Sequence, residues 1–142
     1  MKPTKHARTS YRMLSPFLEA VKSSENRYRK FTCGAYMPLS LEDIHFVDYK
    51  GRPVFSMAHY GEQYGDLMAD PEMTFAVDFD AGEIWPRSYR NDFMGIDREV
   101  YRYNASGILC YSPNLRTDLD EFLWQWVKNI LDQGFSPESC DA

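Results

Sequence analysis

The stretch Met73-Thr-Phe-Ala-Val-Asp-Phe79 decides the fold, because it holds the clearest alternation of apolar side chains in the chain. Its four large apolar residues take every second position, and Thr74, Ala76 and Asp78 lie between them. A period of two places alternate side chains on opposite faces of a β-strand. The pattern therefore predicts a strand that packs one apolar face against a second layer.

The segments around this strand predict an antiparallel meander. Asp80-Ala-Gly82 is typical of a hairpin connection, and Pro86 in the returning segment favours a sheet edge or a bulge. The other strands are expected at 28–36, 44–47, 53–60, 83–88, 99–103 and 108–111.

Apolar residues from Leu119 to Leu131 follow the i, i+3, i+4, i+7 spacing of an amphipathic helix. Thr117 or Asp118 is the expected N-cap, with acidic residues in the first turn, and Gly134 is the expected left-handed C-cap. A shorter N-terminal helix is expected to begin near Thr9 or at Ser15-Pro16 and to end at Ser23-Ser24.

These elements predict an α+β fold, in which an antiparallel meander sheet is packed by the long C-terminal helix and by the N-terminal helix. The length of 142 residues indicates a single domain, 1–142. Residues 1–8 and 136–142 lack an apolar pattern, so we expect them to be flexible.

Composition favours a cytoplasmic protein without a membrane partner. No apolar run approaches the roughly 18 residues of a membrane span, and no apolar segment follows the basic N-terminus. Cys33, Cys110 and Cys140 lack close spacing, which favours free thiols in a reducing compartment. The net charge is −5, although residues 1–30 carry eight Lys and Arg against two Glu.

The polar run from His59 to Met73 predicts a loop, since it follows one strand-like segment, leads into another and is longer than a hairpin turn requires. A second polar cluster, Arg87 to Asp92, is followed by Arg98 and Arg102, with tyrosines interleaved. Arg and Tyr together favour an interface or a single-stranded nucleic acid site, while ion pairs with the acidic loop are an equal alternative to an interface. The predicted binding surface comprises Tyr60, Glu62, Gln63, Tyr64, Asp66, Arg87, Tyr89, Arg90, Asn91 and Asp92.

One imidazole and several carboxylates in the same run raise the alternative of a hard metal ion held by His59, Glu62, Asp66 and Asp70. Their spacing matches neither an EF-hand loop nor H-E-x-x-H, so no metal and no cofactor is the main expectation. We also find no G-x-S-x-G nucleophile motif and no glycine-rich phosphate loop.

Six short motifs resemble those of a small family of uncharacterised bacterial proteins, similar to domains found on phages, plasmids and conjugative elements. They are Gly34-Ala-Tyr-Met-Pro-Leu39, His59-Tyr-Gly-Glu-Gln63, Gly65-Asp-Leu-Met68, Asp70-Pro-Glu-Met73, Arg90-Asn-Asp-Phe93 and Phe122-Leu-Trp-Gln-Trp126. The resemblance runs from about Tyr28 to Phe135. It implies a cytoplasmic accessory protein of mobile-element type, with no activity or catalytic residue to carry over.

The leading functional hypothesis is a non-enzymatic factor that binds or regulates a protein partner. A small metal-assisted hydrolase using His59 and nearby carboxylates is the second hypothesis. Nucleic-acid binding through the basic N-terminal leader is the third, and net acidity makes it the least favoured.

Overall fold

The computed structural model describes residues 1–141, the last two by their backbone alone. Within these residues the helices are α1 (Ala7–Lys22) and α2 (Pro113–Gln133). The strands are β1 (Tyr28–Phe31), β2 (Leu39–Val47), β3 (Pro53–Gln63), β4 (Asp66–Asp78), β5 (Glu83–Asn91), β6 (Ile96–Glu99), β7 (Tyr101–Tyr103), β8 (Leu109–Tyr111) and β9 (Cys140–Asp141).

Seven strands form one antiparallel sheet in the order β6-β5-β4-β3-β2-β1-β9. Chain neighbours pair from β1 to β6, as a meander requires, while β7 and β8 form a separate hairpin. The predicted α+β fold is thereby confirmed.

The apolar alternation of β4 becomes the centre of the core. Met73, Phe75 and Val77 are fully buried, and Phe75 lies directly opposite Phe55 of β3. Burying side chains of this size contributes about 2 kcal/mol each before conformational entropy is subtracted. Phe79, the last member of the pattern, is only partly buried.

Both helices supply the other half of this core. Phe17 of α1 meets Phe31 of β1 edge to face, with ring centroids 5.0 Å apart. Leu123 and Val127 of α2 are buried, and Trp126 is 8% exposed. The apolar stripe predicted for the C-terminal helix thus faces the sheet, and its ending at Gly134 with φ of 102° is confirmed.

The predicted start of α2 was wrong. The N-cap is Ser112, whose Oγ accepts a hydrogen bond from the Leu115 N–H at 3.3 Å, and Pro113 occupies the first turn. Thr117 instead lies one turn inside the helix and donates to the Pro113 carbonyl at 3.0 Å. Consequently the first turn contains no acidic residue.

Of the two predicted starts of the N-terminal helix, the one near Thr9 is confirmed and the one at Ser15-Pro16 was wrong. α1 begins at Ala7 and includes Pro16 in its interior rather than at its first position. A proline there removes one N–H from the helical ladder, and the buried apolar face, with Leu14 and Leu18 on either side, holds the helix together across this position. The helix ends at Ser23, as expected.

Both chain ends contact the rest of the fold. The His6 ring stacks on Trp124 of α2 at 4.3 Å, and its backbone N–H donates to Asp120 at 3.0 Å. Two residues of β9 extend the sheet beside β1. Flexibility of residues 1–8 and 136–142 stays a prediction, as does the single-domain organisation.

Two predicted strand limits differ from those observed. The 28–36 segment forms a strand only over β1, because the chain turns at Cys33 to Tyr36. Pro86 lies opposite Phe75 at a bulge in which Arg87 is the extra residue, so the bulge alternative for this proline is confirmed. In the part of the chain that the structure describes, neither helix offers an apolar stretch that could cross a bilayer.

Candidate functional site: a projecting hairpin arm

The β3–β4 hairpin extends beyond both of its neighbours in the sheet. The β2–β3 ladder reaches only Ala58, and the β4–β5 ladder reaches only Glu72. β3 and β4 continue to pair with each other as far as Gln63 and Asp66. Residues 60–69 therefore form a two-stranded projection from one end of the sheet, which we call the hairpin arm.

The connection at the end of the hairpin arm has only two residues. Tyr64 and Gly65 have φ values of 53° and 85°, the left-handed pair of a type I′ turn, whose twist matches that of the strands. The prediction of a long polar loop over residues 59–73 was therefore wrong. Strands with solvent on both faces have no core to contact, so they lack the apolar alternation that reveals a strand in sequence.

The far half of the hairpin arm is exposed to solvent. The side chain of Tyr64 is 97% exposed and that of Leu67 is 70% exposed. Glu62, Gln63 and Asp66 are exposed as well. Residues 60–69 include two carboxylates and no Lys or Arg, so the tip presents a phenol and an isobutyl group in an acidic setting.

Asp92 holds the base of the hairpin arm. Its carboxylate accepts the Ala69 N–H at 2.7 Å, and its own N–H donates to the Ala69 carbonyl at 2.9 Å. The first of these bonds has a charged acceptor, which makes it stronger than a bond between neutral groups. This exchange continues the hydrogen bonding of β4 past the point where its pairing with β5 ends.

The loop between β5 and β6 supports the same base. Asn91 is 7% exposed, donates to the Asp70 carboxylate at 3.3 Å and accepts the Met94 N–H at 3.1 Å. The Phe93 ring lies on Gly61, where a Cβ would be only 3.0 Å from the ring. Glycine at this position lets the aromatic ring pack directly on the backbone of β3.

Arg90 is the arginine of the second polar cluster that forms ion pairs among the described residues. Arg90 lies 3.4 Å from the Glu72 carboxylate and 3.1 Å from that of Asp92. The Tyr89 ring meets Phe122 of α2 edge to face at 5.3 Å. The ion pairs of Arg90 match the intramolecular alternative for this residue, and together with the Tyr89 contact they stabilise the base of the hairpin arm.

The ten residues of the predicted surface thus separate into three groups. Exposed on the hairpin arm are Glu62, Gln63, Tyr64 and Asp66. Engaged at its base or against the helices are Tyr60, Tyr89, Arg90, Asn91 and Asp92. Arg87 lies at the β5 bulge, away from both groups, with its guanidinium 5.4 Å from the Tyr101 ring.

Tyr60 lies at the position where the hairpin arm begins to extend beyond the sheet. Its hydroxyl donates to the Glu72 carboxylate at 3.4 Å. Partial burial, followed by the negative charge and the hydrogen bond of Glu72, raises the pKa of Tyr60 to about 12. The phenol therefore remains a protonated donor at any physiological pH.

His59 does not join the carboxylates of the hairpin arm. Its Nδ1 lies 2.9 Å from the Pro38 carbonyl, and its Nε2 lies 3.2 Å from Nε1 of Trp126. Because the carbonyl only accepts and the indole only donates, Nδ1 carries the proton and Nε2 accepts. The ring therefore connects β3 to α2 through Nε2 and to the residue before β2 through Nδ1.

The residues of the proposed metal site are not brought together. Glu62 and Asp66 point to solvent on the hairpin arm, while Asp70 accepts from Asn91 at its base. Among the side chains of residues 1–139, no group of three or more His, Cys, Asp and Glu has a geometry suited to a metal ion.

Several basic residues near the N-terminus have carboxylate neighbours. Arg27 pairs with Asp43 at 2.6 Å, Lys22 with Glu19 at 3.6 Å, and Arg8 with Glu83 at 3.5 Å. Part of the positive charge of the leader is thus balanced locally. Nucleic-acid binding through the leader stays a prediction.

The sheet face opposite the helices contains a cleft of about 410 Å³ beside the hairpin arm. It is lined by Tyr28, Lys30, Pro38, Ser40, Glu42, Ser56, Tyr60 and Leu67. Ser40 and Ser56 form its floor and are less than 10% exposed. Sequence reasoning missed this cleft, although the small or polar residues at alternate positions of β2 and β3 were the available signal.

The fold and the hairpin arm define a two-layer α+β protein, in which both helices pack on the same face of an antiparallel sheet. A family described as a domain of unknown function, DUF6908, matches residues 12–136, and the chain belongs to it. Neither the curated proteins nor the solved structures yield a match to this chain.

We predict that Asp92→Ala loosens the hairpin arm without unfolding the core. Removing a charged acceptor costs about 1.5–3 kcal/mol, which corresponds to roughly a 10- to 100-fold change in the opening equilibrium. Chymotryptic cleavage after Tyr64 should accelerate by a similar factor. Asp97→Ala, which removes an exposed carboxylate from β6, is the matched control and should leave the cleavage rate unchanged.

A second prediction concerns the alkaline limit of stability. The folded chain holds the Tyr60 proton more tightly than free tyrosine, because its pKa rises from 10.0 to about 12. The stabilisation is therefore complete below pH 10 and is lost as the pH rises from 10 to 12. Over that interval, the melting temperature of Tyr60→Phe should fall by less than that of the wild type. The tyrosinate absorbance titration of the variant should also lack one phenol that ionises late in the wild type.

Tyr64→Phe is the control for this titration, because Tyr64 is almost fully exposed. It removes a solvent-exposed phenol and should leave the late component assigned to Tyr60 in place. If Tyr60→Phe left the late component unchanged, the contact between Tyr60 and Glu72 would be absent in solution.

Proposed function

We propose that this protein is a non-enzymatic protein-binding factor that contacts its partner with the far half of the hairpin arm. One observation carries the proposal. A hydrogen-bonded, braced hairpin projects from the sheet and exposes Tyr64 and Leu67 at its end.

The bracing matters energetically because binding costs less when the contact segment is already ordered. A disordered loop of this length would lose conformational freedom on binding, whereas a paired hairpin has lost it during folding. The exchange between Asp92 and Ala69 and the packing of Phe93 on Gly61 supply this order. The hairpin arm therefore offers a preorganised contact surface.

The side chains at the tip suit a protein partner. Tyrosine is enriched among the residues that dominate interface energies, because a rigid ring buries a large area with few rotatable bonds. Leu67 adds an aliphatic contact, and Phe93 and Met94 are exposed near the base. Such a group of exposed apolar side chains is typical of an interaction site.

The charge of the hairpin arm indicates which kind of partner surface would be complementary to it. Glu62 and Asp66 flank the tip, and residues 60–69 contain no basic side chain. A complementary partner would present an apolar pocket with Lys or Arg at its rim. Charges at the rim of such an interface mainly affect the association rate and the specificity.

The positions of the other candidate residues favour this function over a metal-assisted hydrolase. The hydrolase hypothesis requires His59 to act together with Glu62, Asp66 or Asp70. Both nitrogens of His59 are already engaged by Pro38 and Trp126. No observation in the described residues specifically favours the hydrolase hypothesis.

The wider setting of this function rests on the sequence resemblance. The resemblance of its motifs to a bacterial family, itself similar to domains of phages, plasmids and conjugative elements, supports a bacterial, cytoplasmic accessory role. We propose that the hairpin arm serves such a mobile-element protein in binding or regulating its partner.

Site-specific photocrosslinking tests the proposed contact. A photoreactive phenylalanine analogue at position 64, introduced in cells that carry the natural partner, should yield a crosslinked species of defined mass. Leu67→Ser, combined with the probe, should reduce its yield by about 10-fold or more, as expected for loss of a buried aliphatic contact and its packing.

Position 108 provides the control, since Ile108 is 61% exposed on the β7–β8 connection. A probe there should not yield the same species, and Ile108→Ser should leave the yield from position 64 unchanged. Equal crosslinking from both positions, or unchanged yield in Leu67→Ser, would mean that the hairpin arm is not the contact surface.

A further inference from the structure

A second cleft lies at the end of the sheet opposite the hairpin arm. It encloses about 300 Å³ between the β2–β3 connection and the β7–β8 hairpin. Its lining consists of Phe46, Val47, Asp48, Tyr49, Arg87, Tyr101, Arg102, Tyr103 and Leu109. This volume is at the lower end of the range for small-molecule sites, which is enough for one compact ligand.

Two register shifts between paired strands place residues in the lining of this cleft. The β2–β3 register shifts between Asp43 and Val47, where His45 adopts a φ of 57° and Phe46 follows. The β4–β5 register shifts at Arg87, the extra residue of its bulge. Bulges redirect side chains, and a left-handed non-glycine residue stores backbone strain, so both features are characteristic of functional positions.

The charge of the cleft opposes that of the whole chain. Arg87 and Arg102 line it, and neither has a carboxylate within ion-pair distance among the side chains of residues 1–139. The one carboxylate in the lining, Asp48, is 2.7 Å from Arg52 and also accepts the backbone N–H groups of Lys50 and Arg52. A protein of net charge −5 therefore carries a local excess of unpaired guanidinium groups here.

Two further guanidinium groups pack on Trp85 next to the cleft, and Arg116 adds net positive charge because Arg52 is already paired with Asp48. The Arg52 guanidinium is 4.1 Å from the Trp85 ring centroid, and that of Arg116 is 5.0 Å from it. Arg52 also lies 5.6 Å from the ring of Tyr49, which connects this layer to the cleft. Buried nitrogens of Arg52, Trp85 and Arg116 have no hydrogen-bond partner among the described residues, so the layer has spare donors.

The aromatic lining leaves ring surfaces accessible. Tyr101 is 8% exposed and forms the floor, while Phe46, Tyr49 and Tyr103 are 51%, 43% and 68% exposed. Arg87 lies 5.3 Å from the Phe46 ring centroid and 5.4 Å from that of Tyr101. Guanidinium groups beside exposed aromatic rings can bind phosphate and a flat base at the same time.

We propose that this cleft binds a mononucleotide, with its phosphate on Arg87 and Arg102 and its base stacked on the exposed aromatic rings. The small volume limits the site to one nucleotide. The surrounding acidic chain disfavours a polyanion, which separates this site from general nucleic-acid binding. The proposal concerns a different surface from the hairpin arm, so each can fail without the other.

Isothermal titration calorimetry of the full chain with AMP tests the proposal. AMP should bind with a measurable Kd that Arg87→Gln raises by 10-fold or more. Tyr103→Ala should also weaken binding by several-fold, and its exposed position makes misfolding no concern. Arg98→Gln removes the same charge from an exposed position of β6 outside this cleft and should change Kd by less than 2-fold.

Related ligands identify which chemistry is recognised. Adenosine and inorganic phosphate should each bind more weakly than AMP, because each lacks one half of the contact. Absence of AMP binding, phosphate binding as tight as that of AMP, or a tighter interaction with a thymidine decanucleotide would each overturn the proposal. Equal Kd values for Arg87→Gln and Arg98→Gln would also overturn it.

Discussion

The packing of Met73, Phe75 and Val77 under the two helices is the interaction on which the rest of the structure depends. A shift of one residue in the register of β4 would exchange its two faces and turn these side chains to solvent. Burial therefore fixes the register of β4 and, through it, of β3 and β5. On the opposite face, Val54, Ala76 and Trp85 form a small buried cluster, whereas Ser40 and Ser56 beside the hairpin arm leave room for a cleft.

The helices cover only part of the length of β3 and β4, and this limit creates the hairpin arm. The bond between Trp126 and His59 lies at the edge of the covered region. Beyond it, the two strands depend on each other, on the turn at Tyr64-Gly65 and on Asp92. A surface stabilised in this way can combine exposure with order, which a free loop of the same length cannot.

Local sequence patterns were sufficient to predict those elements whose apolar side chains are buried in the core. The alternation in β4, the stripe of α2 and its glycine ending were all predictable from sequence. The dipeptide Ser-Pro shows where such signals fail: Ser112-Pro113 begins α2, whereas Ser15-Pro16 lies within α1. In α1, the turns before Ser15 carry apolar side chains such as Leu14 that are buried in the core. This burial distinguishes Ser15-Pro16 from Ser112-Pro113.

Both candidate sites depend on information that the local sequence does not contain. The contact of Asp92 with Ala69 spans 23 residues, and the cleft unites Phe46, Arg87 and Tyr103 through strand order and two bulges. Backbone ¹⁵N order parameters at residues 60–69 test the central claim most directly. We predict values of about 0.85, as in the sheet, whereas values below about 0.6 would show a flexible loop and contradict the account.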